Sequence, residues 1–465
     1  MQNTLKTMTA EADALKAQGR LNDAIAVHHR IVAAFPENAI AAHNLAATLG
    51  DAGFHGESAE QARNALRLGS KAAETHLVLA RALMNNAELD AALEVYDTTC
   101  SINPQMVNAQ YERCQLIWMM TNDRSAALDP LEREIKSAPG AKGLLFVRAR
   151  VLQYTGDMDR ACDQMEALVA GAPRDVGLLC QAAHLLNLGG RTDPALAAAS
   201  AALNLAPDYF PALDAWASVC LAAGDPDNAQ DAVYRLLSMA PENQQAINLQ
   251  AMVWRMRGDK RFEALYDYNA FVLPQRIEAP EGWADRDAYL ADLSAELKTA
   301  HPYRTHPFGQ SVRLGSQRSD ILSVGTPAIQ AFRGALGPLV DAYIERLGDG
   351  DDPLRRRRSA NWRIHGIWSV HLTPGGYHTD HVHPSGWLSS AFYVELPEAV
   401  RAGGKEGWIR FGHAGIPARP AQEAQHWVQP EPGTLVLFPS YMWHGTVPFG
   451  GDQPRLTIAM DFVPD

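Results

Sequence analysis

The chain has 465 residues, of which 47% are apolar and 20% charged, and a formal net charge of -12. That length exceeds one ordinary hydrophobic core, so at least two domains are expected, and the composition excludes a disordered chain. The acidic balance speaks against general affinity for nucleic-acid backbones or anionic lipid, both of which reward clustered positive charge.

Residues 1–20 are polar and lack the apolar core of a signal peptide, and no stretch approaches about 18 uninterrupted apolar residues, the length that a membrane span needs. Cys100, Cys114, Cys162, Cys180 and Cys220 are odd in number and show no CxxC spacing, so neither a disulfide framework nor a thiolate zinc site is signalled. A cytoplasmic protein without nucleic-acid or membrane partners is the expectation. The one basic run, Arg355 to Arg358, follows an acidic Gly-Asp-Gly-Asp-Asp segment and reads as a solvated, ion-paired loop.

Between residues 5 and 258 three ladders run in register. Pro36, Pro104, Pro139, Pro173, Pro207 and Pro241 recur every 34 residues, with Ser70 on the missing rung and one inserted residue before Pro139. Gly19, Gly53, Gly156, Gly190, Gly224 and Gly258 mark one turn per unit, and Ala24, Ser58, Ala92, Ala127, Ala161, Ala195 and Ala229 follow the turn position by five residues. Each unit reads as a helix, a tight turn, a second helix with a small residue where it crosses its partner, and a proline that stops it. About seven units follow. Their period and small-residue positions resemble the tetratricopeptide repeat. That resemblance implies an α-solenoid over residues 1–260 whose concave surface holds a protein or peptide; the array could instead serve to form a homodimer. Trp118, Met119 and Trp254 read as core, and His28, His29, His43, His55, His76 and His184 as surface or capping residues.

After Gly258 the repeat ends, and residues 261–300 read as a linker with a lead-in helix. Arg286 to Thr299 and Pro327 to Leu347 carry apolar residues at helical spacing. From Asn361 the pattern turns to short β-prone runs: Trp362 to Leu372, Trp387 to Leu396, Gly407 to Phe411, Gly433 to Phe438 and Arg455 to Val463. Residues 301–465 are therefore expected to form a sandwich or barrel of jelly-roll type.

Ten of the 16 histidines lie in residues 301–465. The cluster His378-Thr-Asp-His-Val-His383 is answered by His444, as in a metal site built from two distant strands. Alternate residues share one face of a strand, so His378 with Asp380 and His381 with His383 are competing pairs. The first completes a two-histidine, one-carboxylate face. The second precedes Pro384, which forces His383 into an extended conformation. On one continuous strand only one pair can serve unless the chain bends. In Arg455-Leu-Thr-Ile-Ala-Met-Asp-Phe462, Arg455, Thr457 and Ala459 share a face; a buried arginine there calls for an anion, best a carboxylate. Trp362, Trp368, Tyr377, Trp387 and Tyr393 are candidate lining residues, with core packing the ordinary role for most. His365, His371, His413 and His426 have no assigned role.

His381-Val-His-Pro-Ser-Gly-Trp-Leu-Ser-Ser-Ala-Phe-Tyr393, with Phe438-Pro-Ser440, His444 and Arg455, resembles the 2-oxoglutarate and iron(II)-dependent oxygenases built on a double-stranded β-helix, a cupin-like jelly roll. The lead-in His306-Pro-Phe-Gly-Gln-Ser-Val-Arg-Leu-Gly-Ser-Gln317 is similar to a segment of the same group. The resemblance implies Fe(II) held by a histidine pair and His444, and 2-oxoglutarate gripped by Arg455 and Thr457 with Tyr393 beside them. It also implies O2 as co-substrate and succinate as co-product. The HxHP element points to His381 and His383; the His-x-Asp motif usual for the superfamily points to His378 and Asp380. Aspartyl/asparaginyl hydroxylases resemble this layout of repeats and barrel, which implies side-chain hydroxylation of a protein or peptide. Two other readings stay open: a three-histidine dioxygenase or isomerase without 2-oxoglutarate, and a catalytically silent barrel on a repeat-based binding protein.

Overall fold

A computed structural model describes residues 2–465. By internal contacts the chain divides into two compact units, Met1–Val151 and Leu152–Asp465. Antiparallel helix pairs account for the repeats: α1 (Gln2–Ala17) with α2 (Leu21–Ala34), α3 (Ala39–Asp51) with α4 (His55–Arg67), α5 (Ala73–Asn85) with α6 (Leu89–Ile102), and α7 (Val107–Thr121) with α8 (Arg124–Ser137). They continue with α9 (Lys142–Tyr154) and α10 (Met158–Gly171), α11 (Val176–Leu188) and α12 (Thr192–Leu205), and α13 (Phe210–Ala223) and α14 (Pro226–Met239). A single further helix, α15 (Gln244–Arg257), closes the series.

The ladders have the predicted physical basis. All six turn glycines lie at positive φ, between 64° and 86°. The two turns without glycine reach the same left-handed region at Ala87 (φ 63°) and Asn122 (φ 57°). All seven small-residue positions, Ala24 through Ala229, are 0% exposed, and Ser58 satisfies its hydroxyl by donating to the Ala46 carbonyl at 2.8 Å. A larger side chain there would push the paired helices apart. The five cysteines are free and buried in these helices. Of the repeat histidines, His28 departs from its expected surface role: it is buried in α2.

In the second unit, α15 is followed by α16 (Arg261–Leu265), α17 (Tyr268–Phe271), β1 (Leu273–Arg276), α18 (Arg286–Thr299), β2 (Val312–Ser319) and α19 (Pro327–Leu347). The two long helices match their predicted limits: Asp285 caps α18 by accepting from Ala288 N, and α19 begins at Pro327 and stops at Gly348. Seven strands complete the chain: β3 (Trp362–His378), β4 (Leu388–Glu395), β5 (Ile409–Phe411), β6 (His426–Val428), β7 (Thr434–Pro439), β8 (His444–Thr446) and β9 (Arg455–Pro464). Arg355 and Arg358 pair with Asp352 and Asp349 in the loop before β3, as its charge pattern predicts. Among the described residues no helix is long and apolar enough to cross a membrane.

The strands form two antiparallel sheets, a six-stranded one in the order β1-β7-β4-β9-β3-β2 and a three-stranded one in the order β6-β5-β8. Side-chain alternation divides the larger sheet. Leu456, Ile458, Met460 and Phe462 of β9, with Phe392 and Leu437, pack against Leu293, Leu297, Phe332 and Leu336 of α18 and α19. The opposite face carries Arg455, Thr457, Ala459 and Asp461 of β9, the last three paired in register with Tyr393, Ala391 and Ser389 of β4. This inner face, polar and small, leaves room for a site.

Candidate metal centre

β3 ends at His378, and the chain bends before His381, whose backbone exchanges two hydrogen bonds with His444 (2.9 and 3.1 Å). The two histidine pairs thus do not share one continuous strand, and the strand-parity conflict does not arise. His383 follows in the turn, its N–H donating to the Ser440 carbonyl at 3.1 Å, and His444 opens β8. These contacts bring ligand-capable nitrogens of His381, His383 and His444 within 4.8 Å of one another.

Each of the three rings is fixed through Nδ1. His381 Nδ1 lies 2.8 Å from the Thr379 carbonyl, His444 Nδ1 2.9 Å from the Met442 carbonyl, and His383 Nδ1 2.5 Å from Asp461 Oδ2. A carbonyl oxygen only accepts, so Nδ1 of His381 and His444 carries the proton, and in the neutral ring Nε2 is left as a bare lone pair. No hydrogen bond engages any of the three Nε2 atoms among the described residues. Three rings anchored by Nδ1, each with a ring nitrogen within 4.8 Å of the others, fit a divalent metal, for which the outer hydrogen bonds set tautomer and orientation. Burial and the neighbouring imidazoles push His381 down to about 4 and His444 well below the ordinary histidine range. Neutral imidazoles are the form that ligates.

His378 and Asp380 are placed differently. Asp380 is committed to Arg410, through two hydrogen bonds, and lies 3.0 Å from His413 Nδ1. Those partners hold its carboxyl below the usual range against the opposing effect of burial. His378 Nδ1 contacts Ser311 Oγ at 3.0 Å, its N–H donates to Thr446 Oγ1, and its ring sits 6.2 Å from that of His381. Neither residue is in the converging group.

Arg455 is 2% exposed and makes one hydrogen bond, from Nη1 to the Gly407 carbonyl at 2.7 Å. Its Nε is buried without a partner, its guanidinium lies 5.2 Å from the centre of the Tyr393 ring, and the Tyr393 hydroxyl is likewise buried without a partner. Thr457 pairs with Tyr393 across the β4–β9 ladder. Two buried donors without partners, on residues in contact with one another, fit an anion with a flat carboxylate. The residues present therefore suit 2-oxoglutarate.

Residues 366–461 match the family model described as "Putative 2OG-Fe(II) oxygenase", where 2OG is 2-oxoglutarate. The chain carries a domain of this family at its C-terminus. No curated protein matches. Among solved structures, a tetratricopeptide repeat protein from Parabacteroides merdae is 17% identical, with a TM-score of 0.38, over 54% of this chain and 99% of its own. Yeast Tom70 is 15% identical (TM-score 0.42) over 55% of each chain. YrrB, described as a TPR protein with an unusual peptide-binding site, is 18% identical (TM-score 0.30) over 41% of this chain and 98% of its own.

Around the oxygenase-type site the predicted lining residues separate. Trp368 lies 6.0 Å from the His383 ring and Tyr393 faces Arg455, whereas Trp387 donates to the Leu354 carbonyl in the helix-side core and Trp362 packs on Phe462. Tyr377 pairs with Arg313 in the β2–β3 ladder. Of the unassigned histidines, His413 neighbours Asp380, His426 stacks on Tyr268 and His371 adjoins His301.

Two groups of functional side chains escape sequence reasoning. Asp461 was legible in principle, because it continues the Arg455, Thr457, Ala459 alternation. The other group lies in helix α15 and, at Tyr266, just after α16, where no spacing signals it. Gln244 N, at the helix start, donates to the Pro384 carbonyl at 3.1 Å; Asn248 Nδ2 and the Tyr266 hydroxyl both donate to the Tyr441 carbonyl, at 2.9 and 3.0 Å. Both histidine-bearing segments of the oxygenase-type domain thus rest on one helix of the repeat series.

Proposed function

We propose that the protein is an iron(II)- and 2-oxoglutarate-dependent hydroxylase that takes O2 as co-substrate and acts on a protein or peptide held by its repeats. The observation that carries the reading is the convergence of three Nδ1-anchored histidines in a domain that also buries Arg455 Nε and the Tyr393 hydroxyl without a partner. His381, His383 and His444 hold the metal; Arg455, with Thr457 and Tyr393, grips the distal carboxylate of 2-oxoglutarate. Bound metal and cosubstrate together supply oxygen activation coupled to decarboxylation. The chain's own residues position the bound groups: hydrogen bonds at Nδ1 fix three ligand tautomers, and the burial of Arg455 strengthens its ion pair with the cosubstrate. The repeat array supports the choice of a polypeptide substrate, since stacked helix pairs present extended surfaces of the kind that bind peptides. Five free, buried cysteines fit a reducing compartment such as the cytoplasm.

Anaerobic reconstitution with Fe(II) and 2-oxoglutarate tests this directly. A visible charge-transfer band is expected in the wild type, absent in His444→Ala and His383→Ala, and shifted to higher 2-oxoglutarate concentration in Arg455→Ala. No band in the wild type would sink the reading. The all-histidine donor set favours one second reading, a three-histidine dioxygenase without 2-oxoglutarate; metal binding with no response to 2-oxoglutarate would select it.

A further inference from the structure

Asp461 is a buried carboxylate, 4% exposed, with no lysine or arginine within ion-pair distance among the described residues. Its Oδ2 meets His383 Nδ1 at 2.5 Å, and its Oδ1 accepts from Ser389 Oγ at 2.7 Å. Ser389 Oγ in turn lies 2.9 Å from Ser440 Oγ. Ser389 and Ser440 are 1% and 0% exposed. A carboxylate so placed is costly unless something nearby requires its charge. The two other converging histidines donate to neutral backbone carbonyls, so this carboxylate distinguishes one ligand from its fellows.

We propose that Asp461 is a positioning residue that supplies, one hydrogen bond outside the ligand set, the negative charge that three neutral imidazoles lack. The inference rests on the metal reading above. Asp461 locks His383 in the Nδ1–H tautomer and makes its Nε2 a stronger donor to the ion, while Ser389 keeps the carboxylate from rotating away. β9 then carries both the arginine that anchors the cosubstrate and the carboxylate behind the metal ligand, on one face.

The test is a Co(II) titration of the full-length chain, read by visible absorption, in wild type, Asp461→Asn and Ser389→Ala. Asp461→Asn is expected to weaken Co(II) binding about 10–100-fold and to shift the ligand-field bands, while Ser389→Ala, which leaves the His383 contact, loses much less. Wild-type affinity and spectrum in a folded Asp461→Asn would overturn the proposal. An equal loss in Ser389→Ala would also overturn it, by making local packing the cause. Should Asp461→Asn fail to fold, the tautomer of His383 in ¹⁵N-histidine spectra of the metal-free wild type decides, assigned by the signal lost in His383→Gln: a proton on Nε2 overturns the proposal and a proton on Nδ1 supports it. A wild type that binds no Co(II) would instead sink the metal reading itself.

Discussion

Ala87 holds a left-handed backbone, φ 63°, at a turn where five sister repeats use glycine. For a residue with a Cβ that conformation costs about 1–2 kcal/mol, part of which glycine gives back through its greater freedom in the unfolded chain. Ala87→Gly should therefore stabilise the protein by about 1 kcal/mol, read as a higher urea midpoint, and Gly156→Ala should cost a similar amount. If Ala87→Gly lowers the midpoint, the turn is held by contacts rather than strained. The buried histidines set a second expectation. His301 is pushed down to about 3 and His381 to about 4, in both cases chiefly by burial. With folded values below the unfolded value of about 6.5, the unfolded chain binds more protons as pH falls, so metal-free protein loses stability from about pH 6.5 downward, through about pH 4 for His381 and about pH 3 for His301. Each such group contributes a slope approaching about 1.4 kcal/mol per pH unit. Urea midpoints at pH 7, 6 and 5 check this, and His301→Gln should flatten the profile.

At the scale of elements, the parts legible in the sequence are those whose cause is local or repeated. Turn glycines and crossing alanines recur in unit after unit, and α18 and α19 carry their own start and stop residues. The strands depend on partners and were less legible. β3 was expected to stop at Leu372, before Thr-Pro-Gly-Gly, yet the register with β2 jumps from Gly315↔Leu372 to Arg313↔Tyr377, so these residues bulge and the strand resumes. β1, β2, β6 and β8 carry no clear alternation of their own; pairing makes them strands. The proposed ligands His381, His383 and His444 were legible as candidates, but the choice between the two pairs hung on a bend after His378, where His381 bridges to His444. The grip of α15 on that region is likewise tertiary. Asn248 is fully buried and holds the Tyr441 carbonyl three residues from His444. Asn248→Leu should cost about 0.5–1.5 kcal/mol by withdrawing one of the two donors to this carbonyl, and should weaken Co(II) binding without touching a proposed ligand. Unchanged metal affinity in a destabilised variant would confine α15 to a structural role.

For the whole molecule, the break in internal contacts falls at Val151/Leu152, far from residue 260 where the repeat pattern ends. The reason lies in the packing of the second unit. Leu213, Leu221, Leu249 and Val253 from α13 and α15 share one apolar cluster with Trp443, Val382 and Ile416 of the barrel loops, and Ile247 and Ala251 of α15 join the barrel's own core. Arg255 adds hydrogen bonds to the Gly412 and Glu423 carbonyls, and Arg419 N donates to the Leu221 carbonyl. Cutting at residue 260 would expose this apolar surface and remove the Asn248 donor from the Tyr441 carbonyl and the Gln244 donor from the Pro384 carbonyl, beside two of the proposed ligands. Cutting at residue 151 leaves all of it covered. A fragment of residues 152–465 is therefore expected to fold cooperatively and bind Co(II) like the full chain, whereas residues 261–465 should aggregate or lack a cooperative melt. A soluble, metal-binding 261–465 fragment would show the late repeats to be dispensable cover. If only the longer fragment binds, the last helices of the repeat series are part of the metal site's architecture, and any partner that strains them acts on the ligands directly.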